Sequence, residues 1–179
     1  MIRTFIAVEL PEKFLAEIEH IGSQMKIPGV KLVEPGLVHI TMKFLGDIHE
    51  DNVEPIASAL SEIKCKSFEA SIKGIGVFPK PSYVKVIWLG GLGDFETLHS
   101  EVERVLSRFK FKQEGNFSPH ATLARVKQPV NRTDLMEKIS NIGDPDLGTF
   151  SVSSIFLKKS TLTPHGPIYE TMKEIKLSD

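Results

Sequence analysis

LVHITMKFLG at residues 37–46 and FSPHATLARV at residues 117–126 decide the reading of this chain. Strand side chains alternate between faces, so His39 and Thr41 share one face, and His120 and Thr122 share one. Ile40 and Ala121 then turn to the other side. A single histidine in a strand is more readily structural than chemical. The same His/Thr pair occurring twice, with Val38 or Pro119 just before it, is a pattern, and we read the two as halves of one site.

Working outward, the two histidines at 39 and 120 lie 81 residues apart, and the same shift relates everything around them. Residues 2–9 alternate as a strand, and Pro11 opens a helix whose apolar stripe is Phe14, Leu15, Ile18 and Ile21. PGVKLVEPG (28–36) is a turn or short extended connection, and the first His strand, 37–45, is stopped by Gly46-Asp47. A helix starts near Asp51 as N-cap, with Val53, Ile56, Ala57, Leu60 and Ile63 inward. A strand at 67–78 ends in the turn FPKPS, followed by a strand at 83–90 and a helix at 94–109. The second His strand covers 117–126, a short helix 132–141, and strands 148–160 and 167–177 are joined by TPHGP. Strand, helix, His strand, helix and strand thus recur at one offset, an internal duplication in pattern. The predicted fold is α+β, with the whole chain, 1–179, as one bilobal domain. Two pseudo-twofold-related lobes, each a mostly antiparallel sheet with helices on its outer face, enclose a central cleft.

Composition narrows the classes. A formal net charge of −1 supplies no global basic field for a long duplex, so a nucleic-acid partner is short, terminal or locally held. Cys65 is the only cysteine, which excludes an internal disulfide and a cysteine-based zinc cluster and fits a reducing compartment. The start, MIRTFIAVELPEK, lacks a signal peptide's apolar core, and no apolar run spans a bilayer. A cytoplasmic domain is expected, without a membrane partner and acting as a monomer.

Two facing imidazoles suit in-line attack at phosphorus. A neutral one takes a proton from the nucleophile while a protonated one gives a proton to the departing oxygen. Both forms are accessible near neutral pH. Each threonine hydroxyl can hydrogen-bond a non-bridging phosphate oxygen, so no metal or other cofactor is required. Carboxylates close to either motif are few, Asp47 and Glu114, and neither has ligand-like spacing.

HITMKFLG, HATLARVK and the opening RTFIAVELPE together resemble the RNA 2′,3′-cyclic phosphodiesterase/2′-5′ RNA ligase family of the two-histidine phosphoesterase superfamily, over essentially the whole chain. The resemblance implies metal- and ATP-independent hydrolysis of a 2′,3′-cyclic phosphate RNA end to a 2′-phosphate. It also implies possible joining of RNA ends through 2′-5′ linkages. By it, His39 protonates the leaving O3′, His120 activates water, and Thr41 and Thr122 bind phosphate. Expected partners are RNA termini (tRNA-like or short RNA) or a nucleotide cyclic phosphate. A small nucleotide such as an ADP-ribose cyclic phosphate, or a non-catalytic RNA-end-binding role, stays open.

Five residues beyond each histidine stand Phe44 and Arg125. The resemblance places an arginine at Arg125, near the phosphate or base. Strict alternation puts both on the face opposite the histidines, so only a bulge or strand end lets them sandwich a terminal base. Phe44 otherwise reads as core packing and Arg125 as a surface cation. Lys43 keeps the parity of 39 and 41 and is expected to reach the RNA backbone, unless it is a solvated strand-end lysine. His20 and His99 read as surface or boundary residues on helices. Trp88 reads as core, Lys80, Lys85, Lys158 and Lys159 as a weakly positive rim, and GIG (74–76) and LGGLG (89–93) as no nucleotide fingerprint.

Overall fold

The midpoint of the fold is a single pair of residues. Ile40 and Ala121, both fully buried, face each other where strand β3 (His39–Ile48) meets β6 (His120–Val126) in antiparallel register. The computed structural model describes residues 1–113 and 115–179; Glu114 lies outside the described residues. Around the central pair runs one curled sheet. Its outer members are β1 (Ile2–Glu9), β4 (Phe68–Lys80), β5 (Tyr83–Leu92), β7 (Asp146–Val152), β8 (Ser154–Thr163) and β9 (Gly166–Lys176). The order is β7-β4-β5-β6-β3-β1-β8-β9, with the short β2 (Val30–Leu32) also on β6. Every pairing named along this path is antiparallel.

The offset of 81 holds down to individual partners. Ala7 faces Thr41 and Glu9 faces His39, while Trp88 faces Thr122 and Gly90 faces His120. The lobes are nevertheless not the two halves of the chain. β4, from the first half, pairs with β5, and β8, from the second, pairs with β1, so each half lends a long strand to the other.

Helix α1 (Leu15–Ser23) lies over β6 and α3 (Phe95–Leu106) over β3. α2 (Val53–Leu60) packs on α3. Their apolar stripes cover Ile40, Met42, Leu123 and Ala124, all 1% exposed or less. Each large aliphatic side chain so buried contributes about 1.5–3 kcal/mol. α4 (Arg132–Ile142) is capped by Asn131, whose side chain accepts from the Asp134 N–H at 3.1 Å. With helices on one face, the other face of the curled sheet is left for the cleft.

Several boundaries differ from the sequence reading. Asp51 is not an N-cap but lies inside a 3-10 turn, Glu50–Asn52, ahead of α2. Gly46-Asp47 does not stop β3. Gly46 takes φ +75°, a conformation glycine adopts without strain, and absorbs a register shift while the strand continues to Ile48. The 148–160 region is two strands, broken at Ser153, because β7 pairs with β4 and β8 with β1 at opposite ends of the sheet.

Candidate active site

A bulge recurs at the same place in both motif strands. The pairing steps from Ile6↔Lys43 to Ala7↔Thr41 and skips Met42. It likewise steps from Ile87↔Ala124 to Trp88↔Thr122 and skips Leu123. One extra residue on a strand reverses the alternation beyond it. Exposure follows this: Met42 and Lys43 are both buried and Phe44 is open, as Leu123 and Ala124 are buried and Arg125 is open.

Lys43 therefore does not share the face of His39 and Thr41. It points into the core with 1% exposure, bonded to Glu103 and the Lys112 carbonyl, and does not face an RNA backbone. Phe44 and Arg125 do lie on the histidine face, Phe44 58% exposed. The antiparallel order sets the two on opposite sides of the central pair. Each lies four residues from the central pair in opposite directions, on the order of 20 Å apart along the strands.

Extending the Ile40↔Ala121 register by one residue each way sets His39 across from Thr122 and Thr41 across from His120. The two histidines then stand on a diagonal, with Cα atoms about 7–8 Å apart and Cβ atoms somewhat closer. Both rings are held alike. His39 Nδ1 donates to the Leu37 carbonyl at 2.8 Å, and His120 Nδ1 donates to the Ser118 carbonyl at 2.7 Å. A carbonyl only accepts, so Nδ1 carries the proton, and Nε2 of each neutral ring keeps its lone pair for proton exchange. The Thr41 hydroxyl meets His39 Nε2 at 3.0 Å.

The surroundings of the two rings differ. His39 stacks on Phe5 at 5.0 Å and meets the edge of Tyr169 at 5.5 Å. His120 meets Phe78 edge-on at 5.0 Å, with Trp88 at 6.3 Å. Burial lowers the His39 pKa from 6.5, and the Lys158 and Arg125 cations lower it further. The bond to Leu37 and the Glu9 carboxylate act in the raising direction. Burial raises the Tyr169 pKa, which keeps its hydroxyl a donor.

A cavity of about 180 Å³ opens beside His39, lined by Glu9, Leu37, Lys158 and Tyr169 among others. Lys158 is not a loose rim charge: its side chain is 13% exposed and ion-paired with Glu9. A larger hollow of about 420 Å³ lies against α3 and is lined by none of His39, Thr41, His120 and Thr122. Among the described residues, no group of three or more His, Cys, Asp or Glu is placed to hold a metal.

Trp88 is half-buried on the cleft face rather than in the core, and Gly76 across from it leaves room for the indole. A Cβ at Gly76 would lie 2.2 Å from the ring. The glycine of GIG, uninformative as a nucleotide motif, was the available sign of that ring. Nothing in the letters marks Leu37 and Ser118, which act through their carbonyls. His20 is exposed as expected, but His99 is buried, stacked on Phe117.

Comparison with known proteins agrees with this architecture. RNA 2′,3′-cyclic phosphodiesterase of Methanocaldococcus jannaschii is 38% identical over 174 residues, covering 97% of this chain and 99% of the relative. The protein of that name from Methanothermobacter thermautotrophicus is 37% identical, covering 98% and 99%. A crystal structure from Thermus thermophilus superposes with TM-score 0.78 at 27% identity, covering 98% of this chain and 97% of that one. E. coli LigT complexed with 3′-AMP shares the fold, with TM-score 0.79 at 21% identity over 99% of each chain. The family described as LigT like Phosphoesterase matches twice, over residues 7–88 and 92–169, once for each motif strand, and the chain belongs to that family.

Proposed function

We propose that the chain hydrolyses 2′,3′-cyclic phosphate ends of RNA to 2′-phosphates, with His39 and His120 as the acid–base pair. One observation carries this: four motif side chains share one face of two adjoining strands, with both imidazoles locked as Nδ1–H tautomers. The near-full-length relatives named RNA 2′,3′-cyclic phosphodiesterase support the choice of substrate.

In the reaction, His120 Nε2 takes a proton from water as its oxygen bonds to phosphorus. The P–O3′ bond breaks, and His39 Nε2–H protonates O3′. Free His39 has a lowered pKa and is largely neutral. A bound phosphodiester anion opposes that lowering, since an opposite charge nearby favours the imidazolium. Thr41 and Thr122 donate to the non-bridging oxygens, where charge develops. Arg125 lies toward His39 from β6, and Phe44 packs at 6.4 Å on Phe5, the ring that stacks on His39, so the two offer separate contacts to an RNA end. With a ribose 5′-hydroxyl in place of water, the same groups form a 2′-5′ linkage. In this reading residues 1–179 act as one bilobal, monomeric, cytoplasmic unit.

The test is product analysis on a short RNA ending in a 2′,3′-cyclic phosphate, in EDTA and without ATP. A 2′-phosphate product is expected. A 3′-phosphate product, or no turnover, overturns the reading. Faster turnover of an ADP-ribose cyclic phosphate would move the substrate to small nucleotides.

A further inference from the structure

Lys43 is the least exposed charged side chain among the described residues, at 1%. Its ammonium donates to Glu103 Oε1 at 2.5 Å and to the Lys112 carbonyl at 2.9 Å. The same carboxylate oxygen lies 3.6 Å from His99 Nε2, and the His99 ring stacks on Phe117 at 4.1 Å and 6°. Phe117 is followed by Ser118, whose carbonyl holds the Nδ1 proton of His120. Next comes Pro119, whose carbonyl accepts from the Gly91 N–H at 3.0 Å. A buried cation on the strand of His39 thus reaches the lead-in to His120.

The two lead-ins explain why only one has this hold. Leu37, which orients His39, sits in a 3-10 turn, Pro35–Leu37, closed by its own backbone bonds from Leu37 N–H to Glu34 and Val38 N–H to Pro35. Residues 115–119 ahead of His120 form no helix or strand. Ser118 therefore depends on contacts from outside its own segment.

We propose that Lys43, clamped by Glu103, is a positioning residue for His120. It fixes the approach to β6 so that Ser118 holds the Nδ1–H tautomer and Nε2 is left for proton transfer. The catalytic consequence rests on the paired-histidine reading above, whereas the tautomer does not.

Lys43→Met keeps the apolar stem and removes the charge. Nitrogen-15 NMR of histidine-labelled protein without substrate then reads both rings. The expected result is that His120 loses its single Nδ1–H tautomer while His39 keeps its own. Turnover of a nucleoside 2′,3′-cyclic phosphate should fall roughly 10- to 100-fold in kcat, on the order of the cost of a small misplacement, with KM within about twofold. Glu103→Gln, which preserves shape, should shift His120 the same way but less, and it decides the matter if Lys43→Met does not fold. A folded variant whose His120 tautomer and kcat match the wild type overturns the proposal, as does equal disturbance of both rings. Wild-type protein without turnover would defeat the functional reading while the NMR comparison still decides this one.

Discussion

Lys43 under α3 stands where Ala124 stands in the other lobe, and Glu103 stands where Gly22 stands on α1. The backbone solution is the same in both: a bulge before residue 43 or 124 turns that side chain into the core. One lobe fills the space between strand and helix with a lysine–glutamate pair. The other uses two residues with almost no side chain. On the cleft side the pairs diverge as well: Ala7 against Trp88, Glu9 against Gly90, Phe5 against Val86. A duplicated backbone has kept the geometry that places two histidines, while the side chains around them have become unlike. That unlikeness suits a substrate whose two ends differ.

The largest expected effect tests what the lobes share. His39→Ala and His120→Ala should each lower turnover of a 2′,3′-cyclic phosphate by roughly 10²- to 10⁴-fold, with circular dichroism unchanged. Near-normal activity in either would break the pairing. The core comparison is read by urea unfolding. Lys43→Ala strands a buried carboxylate partner and should cost about 3 kcal/mol, the lower end of the range because the Glu103 side chain keeps 21% exposure. Gly22→Ala should instead gain about 0.5–1 kcal/mol, since its Cβ would meet nothing closer than 3.9 Å. Gly76→Ala drives a methyl into the Trp88 ring and should cost about 1–3 kcal/mol. It should also lower kcat through the His120 side, leaving the NMR titration of His39 unmoved.

The smallest effect is one of pH. Because the folded pKa of His39 lies below 6.5, its contribution to stability is complete above that pH. It is lost as pH falls through the folded value, where protonation favours the unfolded chain. The drop in urea midpoint from pH 7 to pH 5 should be smaller in His39→Gln than in the wild type.

Much of the fold was readable in the letters. Alternation, helical stripes and one offset of 81 named the helices, the two histidine strands and their pseudo-symmetry. They also brought His39, Thr41, His120 and Thr122 onto one face. The Lys43 reading failed for a specific reason. Strict alternation assumes an unbroken strand, and a bulge of ordinary residues such as Met42 or Leu123 leaves no glycine or proline to announce it. The exchange of β4 and β8 between halves was equally hidden, since pairing between distant strands has no local signature. Phe78, on β4, reaches His120 only through that exchange.

The sequence by itself determined the periodicities, the duplicated order and the recurring His/Thr pair, because these are local and repeat in the letters. Only the tertiary structure decided which face each residue beyond the bulge takes, which carbonyl orients each imidazole, and that Lys43 lies in the core. Those choices depend on backbone register and on contacts between segments far apart in the chain.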